Sequence, residues 1–257
     1  MKPYREENLR KLSEENGYSL AYEKTATSTL DLAKKESLQP LLAITDHQTQ
    51  GRGRYGHAWK DKRSASILLT LKEVGPDIGK INPDMLAHLF LLSVCNSLSR
   101  SMKTEKIFLK WPNDLILNGK KLGGTLVGRS KDGKCVLLSL GLNVSCAPEK
   151  NSSYLREISI EIDREKIIGK ILSDWKKEKK FMAGKKLREI VSEREKAWRK
   201  KSWLIGKKIR LIQKNGRAIS GKVENSPIGK GLVLSSDKKI TLSLSDYAPG
   251  TLIKIDS

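Results

Sequence analysis

The sequence predicts an α+β protein in which a mixed, mainly antiparallel sheet packs with helices and a small β-barrel domain follows at the C-terminus. Three observations carry that expectation. Apolar runs such as Leu41-Leu42-Ala43-Ile44-Thr45 and Ser66-Ile67-Leu68-Leu69-Thr70-Leu71 are short and bounded by polar turns, as buried strands are. A longer run over residues 83–95 is apolar on more than one face, which marks a central buried helix. Beyond Trp203 short alternating strands are broken by turn signals at Asn215-Gly216, residues 227–231 and Asp237, a pattern of small barrels.

In chain order, residues 1–18 carry Leu9 and Leu12 among charges, enough for a short helix or an arm and too little for a domain. Residues 19–202 then form the main domain and residues 203–257 the barrel. Ser19-Leu20-Ala21-Tyr22-Glu23 reads as the first strand. The hydroxyls of Thr25, Thr27, Ser28 and Thr29 precede a helix-like segment from Leu30; such groups cap helix N-termini and also present themselves to small polar ligands. In the central helix Pro83 stands near the first turn, where its missing N–H is no loss. Ile107-Phe108-Leu109 and Leu115-Ile116-Leu117 read as strands, and Asn118-Gly119 as a hairpin turn leading into two more. From Asp163 the period changes: Ile167, Ile168, Ile171, Leu172 and Trp175 share one helical face, and Leu187, Ile190, Val191 and Trp198 suggest a second helix.

The chain carries 50 Lys and Arg against 29 Asp and Glu, a formal net charge of +21. That balance attracts acidic partners: nucleic acid, an anionic membrane or an acidic protein. Residues 163–210 alone hold 18 cations against 7 acids, so the helices present a lysine-rich face. The first residues are charged and no apolar run approaches the ~20 residues of a membrane span. A soluble, cytoplasmic protein is expected. Cys95, Cys135 and Cys146 show no paired spacing, and His47, His57 and His88 no metal-ligand pattern, which argues against disulfides and a zinc cluster.

Chemistry concentrates in Gly51-Arg52-Gly53-Arg54-Tyr55-Gly56-His57-Ala58-Trp59. Glycine lets the backbone come close to a ligand, and guanidinium forks match phosphate or carboxylate oxygens, so the loop is suited to an anion. Taken alone it also fits a solvated basic loop or an RNA-touching segment. Three further segments accompany it: Lys110-Trp111-Pro112-Asn113-Asp114, the glycine-flanked Lys121, and Gly141-Leu142-Asn143-Val144.

In order and content these segments resemble the catalytic domain of the biotin protein ligases, whose hallmarks are a GRGRxGRxW loop, a KWPNDL segment, a KLxGIL strand and a GxGxN strand. The resemblance runs from about Ser19 to Asn143. It implies a class II synthetase-like fold and a two-step reaction: biotin and ATP give biotinyl-adenylate and pyrophosphate, and the biotinyl group passes to a lysine of a biotin carboxyl carrier domain of a carboxylase. By similarity Arg52 and Arg54 clamp carboxylate and phosphates, Lys121 bridges biotin's carboxylate and the α-phosphate, and Mg2+ neutralises the triphosphate. Ser28, Thr29 and Gln48 match the contacts to biotin's ureido ring, and Gly51, Gly53, Gly124 and Gly141 the backbone that lines the slot. Asn143 and Asp114 match the remaining nucleotide-binding positions, with Asp114 also able to orient an arginine or the carrier lysine.

The sequence departs from the pattern at four positions. Leu30 stands for an asparagine, His57 for an arginine, Gly128 for a glutamate and Ser139 for the first glycine of GxGxN. Loss of the asparagine leaves a lipoate or octanoate ligase of the same fold as one alternative, and the charge leaves a nucleic-acid-binding protein as the other. Against the latter, aromatic content is 5% and no stacking platform is visible. The short segment before the first strand cannot supply a helix-turn-helix unit, so sequence-specific DNA binding is not expected. A homodimer through an exposed sheet edge is left open.

Overall fold

The computed structural model describes residues 1–36, 38–130, 132–212, 218–235, 239–242 and 254–255. Seven strands form the main sheet: β1 (Ser19–Glu23), β2 (Leu41–Thr45), β3 (Ser66–Val74), β4 (Ile107–Lys110), β5 (Asp114–Leu117), β6 (Lys120–Arg129) and β7 (Cys135–Asn143). Their order is β1-β2-β3-β7-β6-β5-β4; β1 and β2 run parallel and the other neighbours antiparallel. The mixed, mainly antiparallel sheet is thus as expected.

Strand alternation divides this sheet into a core face and a site face. Val136, Leu138, Leu140 and Leu142 of β7 join the main core with Ile67, Leu69 and Leu71 of β3, while Leu137, Ser139 and Gly141 turn the other way. The core face is covered by α4 (Pro83–Ser101), against which α5 (Arg164–Met182) packs. In α4 Leu86, Leu89, Phe90, Leu91, Val94 and Leu98 are fully buried, and each such side chain contributes roughly 1.5–3 kcal/mol relative to exposure. Asn82 and Asp163 cap these two helices by accepting from backbone N–H groups of the first turn. The site face carries a small apolar cluster under α2 (Thr29–Lys35), made by Leu32, Ala33, Leu41, Ala43 and Leu137, and is open beyond it.

The N-terminal residues form α1 (Glu6–Glu15), and Tyr4 ahead of it is pinned under Arg164. Arg164 bonds Asp46 at 2.8 Å with both side chains almost fully buried, and donates to the carbonyls of Ser66 and Lys2. The short α3 (Pro76–Lys80) follows β3, and α6 (Leu187–Lys201) follows α5.

The last strands correct one expectation. β8 (Lys208–Ile212), β9 (Ala218–Asn225), β10 (Leu232–Ser235), β11 (Lys239–Leu242) and β12 (Lys254–Ile255) make an open five-stranded sheet in the order β11-β10-β9-β8-β12. Among the described residues its end strands do not pair, and no barrel closes. Alternation identifies half-buried strands, but closure depends on tilt and stagger, which periodicity does not encode. The expected turns at Asn215-Gly216 and Asp237 lie outside the described residues. The turn at 227–231, with Ser226 just before it, docks this sheet on the rest: Gly229 N–H donates to His88 Nδ1, Trp198 Nε1–H to Ser226 O and Trp111 Nε1–H to Lys230 O.

Among the described residues no helix is long and apolar enough to cross a membrane. Cys95, Cys135 and Cys146 are free thiols.

Candidate functional site

A cleft of about 500 Å³ opens on the site face, walled by the start of α2, the basic loop, the β4–β5 turn, and β6 and β7. Ser28, Thr29, Gln48, Arg52, Gly53, Arg54, Asp114, Lys121, Gly124 and Gly141 all line it, although they come from separate stretches of chain. Gly51 stands just behind the lining and Asn143 lies outside it. The Asn143 amide is buried at the end of β7 and donates to Ser153 O at 3.1 Å.

The basic loop is a tight hairpin. Trp59 N–H donates to Gly51 O at 2.9 Å and Gly53 N–H to His57 O at 2.7 Å, and Tyr55 and Gly56 turn the tip at φ 56° and 80°. Gly51 is required by close approach: a Cβ there would lie 2.4 Å from Trp59 O. Trp59 in turn lays its indole on Gly141, where a Cβ would meet three ring atoms at 2.6–2.9 Å. Arg54 donates to Tyr55 Oη at 3.1 Å. Arg52 makes a bidentate pair with Asp31, both bonds 2.8 Å, and so faces the α2 N-terminus. Burial pulls the Asp31 carboxyl upward, but the Ser28 hydrogen bond and the Arg52 charge outweigh it and hold the group below its ordinary value.

Lys121 owes its place to a bulge. The β5–β6 register shifts between Leu115 and Ile116, so that Leu122 is the extra residue and Lys121 comes onto the same side as Gly124, where a Cβ would lie 3.7 Å from Lys121 Cε. Its Nζ pairs with Asp114 at 2.7 Å and stands 5.8 Å from the Trp59 ring centroid. Lys110 also lines the cleft; burial chiefly, with the nearby Lys121 charge, lowers its pKa against the opposing pull of Asp114. Arg52, Arg54, Lys110 and Lys121 thus bring four cations to one opening, against the carboxylates of Asp114 and Glu149.

Neutral hydrogen-bonding side chains complete the lining. Ser28 Oγ caps α2 by accepting from Asp31 N, and Gln48 Oε1 accepts from Thr29 N at 2.8 Å. Thr29, Thr70 and Ser139 form a line of hydroxyls at 2.9 and 2.8 Å. Among the described residues no group of three His, Cys, Asp or Glu side chains could hold a metal ion.

Residues 19–145 match the biotin/lipoate A/B protein ligase family. The domain over those residues belongs to that family. The four hallmark segments read from the sequence fall inside the matched span, so the resemblance holds. Among curated relatives in the family, the bifunctional ligase/repressor BirA of Bacillus subtilis is 27% identical over 63% of this chain and 54% of its own. The biotin–[acetyl-CoA-carboxylase] ligase of Mycobacterium tuberculosis is 29% identical over 58% of this chain and 59% of its own. The chain therefore spans little more than half the length of these relatives. The biotin protein ligase of Aquifex aeolicus, solved in complex with biotin and ATP, superposes with a TM-score of 0.76 over 92% of this chain and 99% of its own. At 23% identity that likeness is one of fold.

The family pattern pointed to most of the cleft but not to all of it. Asp31 and the Thr70 hydroxyl, which stand behind the lining, were not legible, because each acts through a partner distant in sequence. Leu30, in place of the family's asparagine, lines the cleft and packs on the small apolar cluster under α2. Gly128 has open space around it.

Proposed function

We propose that this protein is an ATP-dependent biotin protein ligase that forms biotinyl-5'-AMP and transfers biotin to a lysine of a biotin carboxyl carrier domain. The observation that carries the reading is the convergence of the hallmark segments on one cleft, which presents four cations together with the neutral hydrogen-bonding groups of Ser28, Thr29, Gln48 and Ser139. A small acid with a polar, uncharged head and a carboxylate tail matches both. The head is then held by the neutral groups, and the carboxylate meets the nucleotide among the cations.

In the first step a carboxylate oxygen attacks the α-phosphorus, a new O–P bond forms, and the electron pair of the broken P–O bond leaves with pyrophosphate. Negative charge then spreads over phosphate oxygens, and fixed cations in a partly dry cleft stabilise it. Lys121, placed by the bulge and Asp114, bridges carboxylate and α-phosphate. Arg54 and Arg52 clamp the phosphates, Arg52 exchanging Asp31 for the ligand. Gly51, Gly53, Gly124 and Gly141 keep the slot open to backbone approach, and Ser28, Thr29 and Gln48 hold the ureido ring. Mg2+ bound with the nucleotide would supply counter-charge to the triphosphate; Asp114 and Glu149 each already pair with a lysine, so the described residues do not form a cage for it. In the second step the carrier's lysine amine attacks the acyl carbonyl and AMP leaves, with Asp114 orienting the incoming amine. Asn143 serves the site indirectly, by tying the end of β7 to Ser153. The surplus of cations suits encounter with an acidic carrier domain.

Pyrophosphate release from magnesium-ATP tests the reading, with biotin, with lipoate and with neither. Biotin-dependent release that falls by about 10²–10³ in Lys121→Ala is expected, the size of losing one transition-state cation or donor. Release with lipoate alone, or none with either acid, would overturn it.

A further inference from the structure

Ser139 stands where the family has glycine, and its hydroxyl is not an idle substitution. Three hydroxyls and one amide form a line whose proton order is fixed from one end. Thr29 N–H must donate, so the amide of Gln48 presents Oε1 to it, at 2.8 Å, and its Nε2 is left to donate into the cleft. Thr29 Oγ1 donates to the same Oε1 at 3.3 Å, and Thr70 Oγ1 donates to Thr29 Oγ1 at 2.9 Å. Thr70 has then spent its only proton, so the 2.8 Å contact with Ser139 Oγ is closed by the proton of Ser139. Thr29 and Thr70 are almost fully buried, so water does not reset this order, whereas Ser139 is half-buried on the cleft wall.

We propose that Ser139, held as an acceptor by Thr70, determines substrate specificity by receiving an N–H of a cyclic urea while Gln48 Nε2 donates to an acceptor beside it. This rests on the reading of the cleft as a biotin site and goes beyond it. A ureido ring offers an N–H and a carbonyl side by side; the dithiolane of lipoate offers neither. Thr70 is a positioning residue, since it touches the substrate only through Ser139.

Calorimetric titration of the full chain with biotin, with biotin methylated on both ureido nitrogens, and with lipoate tests this. Ser139→Ala is expected to weaken biotin about five- to tenfold, the worth of one neutral hydrogen bond, and to leave the methylated analogue and lipoate within twofold or slightly tighter. Thr70→Val should reproduce the selective loss and Thr70→Ser, which keeps the relay, should not; Ser139→Ala alone suffices if Thr70→Val does not fold. Biotin binding that is unchanged in Ser139→Ala, or that falls in parallel with the methylated analogue, overturns the assignment of Ser139 and leaves the ligase reading standing. Failure of the unsubstituted protein to bind biotin overturns both.

Discussion

Adding one methyl group at Gly141 should damage the site more than the fold. The new Cβ would lie 2.6, 2.8 and 2.9 Å from Cε2, Cζ2 and Cδ2 of Trp59, against 3.4 Å or more for ordinary contact. The ring must therefore withdraw by about 0.8 Å at its nearest atom, a typical overpacking strain of ~1–3 kcal/mol. It has little room to do so quietly. Trp59 is tied by its backbone to Gly51, and Lys121 stands over its ring, so a shift of the indole moves the base of the basic hairpin and Lys121 together. Misplacement of a reacting group by ~1 Å costs up to about a hundredfold in rate. For Gly141→Ala we expect a fall in Tm of roughly 2–12 °C for that strain, with a tenfold to hundredfold loss of biotin-dependent pyrophosphate release at temperatures where the protein is folded. Gly128→Ala is the matched control: it sits on the same sheet, has nothing within 4 Å of its added Cβ, and should change stability by less than about 0.5 kcal/mol. Activity of Gly141→Ala within twofold of the parent would falsify the view that the Trp59 indole, packed on Gly141, positions the basic hairpin and Lys121.

Arg164→Met removes one partner of an ion pair whose side chains are 3% and 2% exposed and strands Asp46 and two carbonyls. A loss of ~3–5 kcal/mol is expected in urea unfolding, and a loss under about 1 kcal/mol would show that the N-terminal segment is not anchored there. His88 is pushed down to about 3, first by burial and then by the Arg54 charge, and its Nδ1 accepts from Gly229 N–H, which puts the ring proton on Nε2. Between about pH 6.5 and pH 3 the unfolded chain binds a proton that the folded one does not. Stability from this group is thus full above about pH 6.5 and declines on acidification, by about 2 kcal/mol at pH 5. An NMR titration of the His88 ring with its midpoint near 6.5 in the folded protein would sink that account.

Local chemistry was legible in the sequence. The leucine-rich runs of β2 and β3, the apolar helix α4 with Pro83 at its start, the change of period from Asp163 and the hairpin at Asn118-Gly119 are all specified by residues within a few positions of each other. The glycine and cation content of the hallmark segments likewise marked where an anion could bind. Which strands are neighbours was not legible: β7 reaches β3 through pairings roughly 60 to 80 residues apart in sequence, and closing loops of that size costs nearly the same for many alternative partners. Nor was the open end of the C-terminal sheet, since alternating strands read the same in a sheet and in a barrel.

The sequence by itself determined the residue types that carry charge, turn and burial, since these act through a residue's own chemistry and its near neighbours. Tertiary structure alone decided their directions. One extra residue in β6 turns Lys121 toward the cleft, a bidentate pair with Asp31 holds Arg52, the position of Asn143 at the end of β7 brings its amide to Ser153, and Thr70 fixes which way the Ser139 proton points. Each depends on register between segments far apart in the chain, where a shift of one residue would reverse the face and with it the function.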